Sequence, residues 1–75
     1  MNDSEVLTLR EWRRKRLLTQ EELAAKVGVT FTTISNWETG EAPPRVRNIR
    51  KLAEALSVAP EQIIFPPLKP KKVAA

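Results

Sequence analysis

The chain contains no cysteine and no histidine among its 75 residues. Without cysteine there is no disulfide framework and no thiolate metal site, and without histidine the usual zinc-finger ligand sets are excluded as well. The same two absences remove most nucleophiles and general bases that work near neutral pH. We therefore expect no enzyme activity, no metal and no cofactor.

Long apolar runs are also missing. No stretch approaches the ~18 residues of a membrane span, and the polar start Met1-Asn2-Asp3-Ser4 does not read as a signal peptide. We expect a cytoplasmic protein without membrane association. The length suits one small domain, and no internal repeat is visible.

Charge is unevenly distributed along the chain. The net charge is +4 and the pI is about 10.0, which favours a polyanionic partner. Residues 1–18 sum to +2 and residues 45–75 to +5, whereas residues 19–44 carry one basic and four acidic side chains, a sum of −3. Attraction to phosphates must therefore come from the flanks of the central segment. Ordinary solvated surface charges would give the same distribution.

The central segment, TQEELAAKVGVTFTTISNWETG, runs from Thr19 to Gly40. Thr19 with Glu22 three residues later has the form of a capping box at the start of a helix. Gly28 is typical of the left-handed position that ends a helix, and Thr30 is a second N-cap. The pattern predicts two short helices joined by a glycine turn, which is a helix-turn-helix.

The second helix of this motif has an unusual outer face. If Ile34 and Trp37 point inward, the helical period of about 100° per residue puts Thr32, Asn36 and Thr39 nearly opposite. Short, uncharged, hydrogen-bonding side chains fit base edges in a major groove. Threonines near a helix start also commonly cap it, so the face alone leaves both interpretations open.

Three further helices are predicted around the motif. The first runs from about Thr8 to Leu17, the fourth from Arg45 to Leu56 with Pro44 at its first position, and a short fifth over residues 60–65. Residues 1–6 are expected to be flexible, and residues 66–75 to form a basic proline and lysine tail. The predicted fold is an all-α, five-helix domain over residues 7–65. Its inward-facing residues outside the motif are predicted to be Leu9, Trp12, Leu17, Val46, Ile49, Leu52, Ala53 and Leu56.

This arrangement resembles the phage-repressor and Cro-like helix-turn-helix proteins, often called the XRE family. The resemblance covers roughly residues 7–65. The matching positions are Leu9, Arg13, Leu18 to Ala24, Val27 to Thr30, Ile34-Ser35, Trp37 to Gly40, Pro44 and Leu52 to Leu56.

The resemblance implies a sequence-specific regulator of transcription, expected to be a repressor, that reads double-stranded DNA with helix 3, about residues 31–39. It further implies a homodimer on a palindromic operator. Two other roles remain open: an antitoxin or operon partner that uses the same DNA contacts, and a protein-binding adapter that has lost DNA binding.

The resemblance also implies individual roles. Arg13 and Glu38 would form a partly buried structural bridge. Asn36 is the leading base reader, because an amide holds adenine N6 and N7 together. Phe31 would either touch a thymine methyl or cover the junction of helices 2 and 3, and the second is slightly preferred. The implied base contacts are Thr32, Asn36, Thr33 and Phe31, and the implied backbone contacts are Gln20, Thr30, Thr39, Arg45 and Arg47.

The dimer surface is expected near the C-terminal end of the domain. Ile63, Ile64, Phe65 and Leu68 are more apolar surface than one small domain buries. The alternative is that Ile63 and Phe65 close the core.

Overall fold

The computed structural model describes residues 5–69. In this part of the chain there are four α-helices and two short parallel strands, β1 and β2, in which Leu7 pairs with Ile63 and Thr8 with Ile64. The predicted flexible N-terminus and basic tail fall partly outside the described residues, at positions 1–4 and 70–75. In chain order the elements are β1 Leu7–Thr8, α1 Leu9–Lys15, α2 Gln20–Val27, α3 Phe31–Thr39, α4 Val46–Leu56, a 3₁₀ turn Pro60–Gln62 and β2 Ile63–Ile64.

The prediction of a fifth helix over residues 60–65 is wrong. Only Pro60–Gln62 turns, as a 3₁₀ helix, and the chain then extends into β2. Two consecutive β-branched isoleucines favour an extended backbone, and this extended segment pairs with β1. The fold is therefore mostly helical, with a small parallel β-bridge in place of a fifth helix.

The capping boxes at the starts of α1 and α2 are confirmed. Thr8 Oγ1 accepts the Glu11 N–H at 3.1 Å, and Glu11 Oε1 accepts the Thr8 N–H at 3.0 Å. The pair Thr19 and Glu22 repeats this arrangement at 3.0 and 2.8 Å. Each box satisfies backbone donors that have no partner within the helix.

Helix α1 ends earlier than predicted, and Leu17 does not face the core. After Lys15 the chain closes as a Schellman motif, in which the Leu18 N–H donates to the Arg13 carbonyl and the Leu17 N–H to the Arg14 carbonyl, both at 3.0 Å. This motif puts Leu17 in the left-handed region, at φ 58°, and leaves it 88% exposed. Leu18 packs against the core in its place.

Helix α4 begins at Val46 with Arg45 as its N-cap, so Pro44 precedes the helix instead of opening it. Val46 is exposed, contrary to the prediction, because it lies in the first turn, beyond the edge of the core, whereas Ile49 is half-buried.

One cluster of buried side chains holds the helices and β2 together. Trp12 belongs to it, and its indole N–H donates to the Gln62 carbonyl at 2.7 Å. Ile63 is also buried, and Phe65 packs against the cluster. Both residues therefore close the core, which was the alternative to their forming a dimer surface. No helix within residues 5–69 is long and apolar enough to cross a membrane. The buried apolar residues are Leu9, Trp12, Leu23, Ala24, Val27, Ile34, Trp37, Leu52, Ala53, Leu56 and Ile63.

Candidate nucleic-acid interface

The turn between α2 and α3 sets the geometry of the motif. Gly28 has φ 85°, and its N–H donates to the Ala24 carbonyl at 2.8 Å. A Cβ at this position would meet nothing within 4 Å, so the backbone conformation, not lack of space, favours glycine. Thr30 then caps α3 by accepting the Thr33 N–H at 3.3 Å.

Helix α3 presents the predicted outer face. Thr32 and Thr39 are exposed and Asn36 is half-buried, while Ile34 and Trp37 are buried. Within residues 5–69 the Asn36 side-chain amide engages no hydrogen bond, so its donors and acceptor are available to a ligand. Its backbone carbonyl is occupied, because it accepts the N–H groups of residues 40–42.

Phe31, the first residue of α3, projects from the structure. It is 54% exposed, which does not fit the preferred interpretation as a cover over the junction of α2 and α3. An exposed ring at the start of α3 is an apolar surface next to Thr32. Such an apolar surface can pack against a thymine methyl group.

Thr30 and Thr33 form the N-terminal cap of α3, whether or not they also contact a ligand. Their hydroxyl oxygens lie 3.0 Å apart within the cap of α3. The two hydroxyl groups share one hydrogen in that contact, which leaves one hydroxyl proton for another acceptor.

The Arg13–Glu38 ion pair is present and ties α3 to α1. Arg13 Nε lies 2.6 Å from Glu38 Oε2, and Nη2 lies 3.2 Å from Oε1. The Glu38 side chain is only 3% accessible and that of Arg13 11%. Arg13 Nη1 also donates to the Leu18 carbonyl at 2.9 Å, so the guanidinium is satisfied by both partners.

Gln20 joins this ion pair, which the sequence did not reveal. As the first residue of α2, it donates from Nε2 to Glu38 Oε1 at 3.0 Å. The Glu38 carboxylate therefore links α1, the start of α2 and the end of α3. It also fixes the orientation of a side chain that was predicted to contact phosphate.

The acidic character of the motif is smaller at its surface than in its sequence. Glu38 is buried and paired with Arg13, and Glu41 pairs with Lys69 at 2.8 Å. Two of the four acids in residues 19–44 are thus balanced by bases from outside that segment. Arg45 and Arg47 are exposed at the start of α4. Among residues 5–69, no three His, Cys, Asp or Glu side chains are grouped to hold a metal ion.

Comparison with known proteins agrees with this geometry. Residues 9–63 match the family HTH_3, described as helix-turn-helix. An uncharacterized HTH-type transcriptional regulator from Archaeoglobus fulgidus is 42% identical over 57 residues, which cover 76% of this chain and 81% of the relative. An uncharacterized HTH-type transcriptional regulator from Haemophilus influenzae is 41% identical over 51 residues, which cover 68% of this chain but 21% of the relative. The chain thus spans about a fifth of the length of that second protein.

A solved structure is also similar. It is the crystal structure of the P22 c2 repressor in complex with the synthetic operator 9T, with a TM-score of 0.69 and 34% sequence identity. The match covers 73% of this chain and 85% of that one.

Proposed function

The chain belongs to the XRE-type helix-turn-helix family, and on that premise we propose that it is a sequence-specific double-stranded DNA-binding regulator of transcription, acting as a repressor. The observation that carries the proposal is the outer face of α3: uncharged, hydrogen-bonding, and held at a fixed angle by the glycine turn. The likeness to a repressor in complex with its operator supports the repressor role. We also propose a cytoplasmic location, which is consistent with a DNA ligand and with the bacterial and archaeal sources of the relatives.

In this proposal α3 enters the major groove. Asn36 holds an adenine through N6 and N7, and Thr32 and Thr33 contact neighbouring base edges. Phe31, exposed at the start of the helix, packs on a thymine methyl. Because α3 carries no lysine or arginine, it lacks the usual bidentate reader of guanine, and sequence-dependent DNA shape contributes to selectivity.

Other residues fix the position of the protein on the duplex. One hydrogen of the Gln20 amide is donated to Glu38, and the second is available for a phosphate oxygen. The exposed Arg45 and Arg47 contact the sugar-phosphate chain after the recognition helix. Thr30 and Thr39 are the remaining proposed backbone contacts, one at each end of α3.

We also propose that two chains bind together on a palindromic operator. One short helix in the groove makes few contacts, and two-fold pairing brings two such helices to half-sites about 34 Å apart. Since Ile63 is buried and Phe65 packs on the core, the proposed dimer surface is reduced to the exposed side chains Ile64 and Leu68.

The test separates base reading from positioning. A preferred site is first selected from random duplex DNA, and binding of Asn36→Ala is then compared on that site and on random duplex. We expect a loss of about 1–3 kcal/mol on the preferred site and little change on random DNA. The control is Arg45→Ala, which should weaken both complexes equally because phosphates carry no sequence information. An equal loss on both duplexes for Asn36→Ala would assign Asn36 to the backbone instead.

Salt dependence distinguishes this function from that of an adapter without DNA binding. Four to six phosphate contacts per dimer give a slope of log K against log salt of roughly −4 to −5. An affinity that stays flat from low to physiological salt would favour the adapter.

A further inference from the structure

Helix α1 and its C-cap carry five basic side chains, and three of these have partners in the fold. Arg13 belongs to the buried ion pair described above. Lys15 pairs with Glu5, and Arg16 donates from Nε to the carbonyl of the last residue of α4 at 2.7 Å. These three side chains therefore help to hold α1 against its neighbours.

The other two, Arg10 and Arg14, are exposed, and within residues 5–69 neither side chain takes part in a hydrogen bond or an ion pair. Glu11, the acid that lies between them in the sequence, turns back to accept the Thr8 N–H at 3.0 Å. Residues four positions apart are neighbours on a helix surface, with Cβ atoms about 5–6 Å apart. Arg10 and Arg14, the α1 arginine pair, thus place two positive charges side by side without compensation.

This charge arrangement is unfavourable for the helix. Like charges at positions i and i+4 repel, and Arg10 lies in the first turn, where the helix dipole favours acids. Packing gives no reason for either side chain, since both are exposed. An unfavourable feature without structural use is expected at a functional site, and a bound anion would remove the repulsion.

The α1 arginine pair lies on the flank of α1 that borders the proposed DNA contacts. At 100° per residue, its two members follow Arg13 around the helix by about 60° and 100°. Arg13 contacts Glu38 near the end of α3, and the same carboxylate accepts a hydrogen bond from Gln20, a proposed phosphate contact. Trp12, about 100° from Arg13 in the opposite direction, donates instead to the 3₁₀ turn before β2. The pair is therefore on the side of α1 that faces the start of α2 and the end of α3.

We infer that the α1 arginine pair clamps one phosphate of the duplex, beside the phosphate that Gln20 contacts. The inference rests on the proposed function, since its ligand is double-stranded DNA. Each guanidinium presents its N–H groups as a fork that matches phosphate oxygens, and the spacing of the two side chains lets both forks reach one phosphate group. The clamp reads no base. With the exposed Arg45 and Arg47, it brings the phosphates neutralised by a dimer to about six, within the range proposed above.

The first experiment compares the full chain with R10Q/R14Q on the preferred duplex and on random duplex across a salt series. The variant should bind both duplexes more weakly, and its slope of log K against log salt should be less steep by about 0.9 per bound chain. For a dimer, the full chain should then lose about tenfold more affinity than the variant between 50 and 200 mM salt. The matched control K26Q/K51Q removes the same charge from the groove between the ends of α2 and α4 and should leave the slope unchanged.

The second experiment locates the phosphate. A neutral methylphosphonate replaces one phosphate of the preferred duplex at a time, and binding of the full chain is compared with that of R10Q/R14Q. The full chain should lose several-fold affinity at one position in each half-site to which the variant is indifferent. Arg10→Gln and Arg14→Gln should not be additive, because both act on the same phosphate. Additive losses at two separate positions would overturn the clamp.

Reversal of one charge gives stability and binding opposite signs. Arg10→Glu puts an acid in the first turn, four residues before Arg14, so the midpoint of thermal unfolding should rise by about 1–4 °C. Binding to both duplexes should weaken further than in Arg10→Gln. A side chain that only supported the fold would lower the midpoint when reversed, and that result would overturn the inference.

The outcomes separate the clamp from the function on which it rests. If the full chain binds no duplex at any salt concentration, the proposed function fails. If it binds but R10Q/R14Q keeps the original affinity and slope, or if K26Q/K51Q changes the slope equally, the clamp is refuted while DNA binding stands. A changed subunit count in sedimentation with an unchanged slope would assign the arginines to contact with a second chain, which also refutes the inference.

Discussion

Replacing Glu38 by alanine removes the carboxylate at which α1, α2 and α3 meet. That side chain is 3% accessible and accepts two hydrogen bonds from Arg13, at 2.6 and 3.2 Å, and one from Gln20 at 3.0 Å. After the substitution, Arg13 keeps only the Leu18 carbonyl as a partner. The guanidinium then lies at a largely buried site, because the Arg13 side chain is only 11% accessible.

The expected loss follows from this burial. Stranding one partner of a buried ion pair costs about 3–5 kcal/mol. A chain of 75 residues has a total unfolding free energy of about 4–11 kcal/mol, so the variant should lose a large part of its stability. The matched control is Glu41→Ala, which breaks the Lys69 pair, where both side chains are about half exposed. That change should cost about 0–1 kcal/mol.

The assay is urea unfolding followed by circular dichroism and by the fluorescence of the two buried tryptophans, Trp12 and Trp37. Replacing both partners, as in R13M/E38L, should recover much of the loss because no uncompensated charge is left. If Glu38→Ala fell within ~0.5 kcal/mol of the Glu41→Ala control, the reasoning would be refuted, and the pair would have to be solvated.

Ser57→Gly should raise the unfolding free energy by about 0.5–1 kcal/mol, because Ser57 has φ 58°; the control Ala25→Gly, in the exposed interior of α2, should lower it by about 1 kcal/mol. The hydrogen bond from the backbone N–H of Thr8 lowers the pKa of Glu11. The ionised Glu11 carboxylate therefore stabilises the fold at pH values above its ordinary pKa. This stabilisation is lost as the pH falls through the lower pKa that Glu11 has in the folded state. Glu11→Gln should make the acid side of the thermal-stability curve shallower. Ile64→Asp should weaken binding to a whole operator but not to a half-site, with sedimentation counting the subunits. Equal affinity of the unmodified chain for both sites, with one chain on each, would rule out the dimer.

The parts of the fold that were predicted correctly depend on neighbours within one helical turn. Thr8 and Thr19 each meet a glutamate three residues later, and both partners of this contact lie within one helical turn. Gly28 takes the left-handed conformation for the same local reason. The position of the helix-turn-helix was therefore predictable from the sequence.

The errors lie where distant segments meet or where an expected residue type is missing. Residues 60–65 form no helix because β2 pairs with β1, more than fifty residues earlier, and no local pattern records that partner. Leu17 was placed inside because it is apolar and continues the helical period. No glycine marks the end of α1, so its Schellman closure was not visible in the sequence.

The site shows the same division. The outward position of Thr32 and Asn36 follows from the period of one helix. The contact of Gln20 with Glu38 joins residues 18 positions apart, and that of Lys69 with Glu41 joins residues 28 apart. Neither has a sequence pattern that would identify it, because each depends on how the elements pack.

These two contacts bear on the proposed function, in which α3 reads bases without a basic side chain and belongs to a motif that is acidic in sequence. One acid, Glu38, is withdrawn from the surface into the core, and Glu41 is balanced by a lysine from the far end of the domain. What remains exposed on α3 is nearly neutral, so its hydrogen-bonding groups can discriminate between bases without attracting phosphates indiscriminately. In the proposed function, attraction then falls to the exposed Arg45 and Arg47, whose phosphate contacts weaken with salt. Selectivity and affinity are thus assigned to different elements, and salt acts on the second far more than on the first.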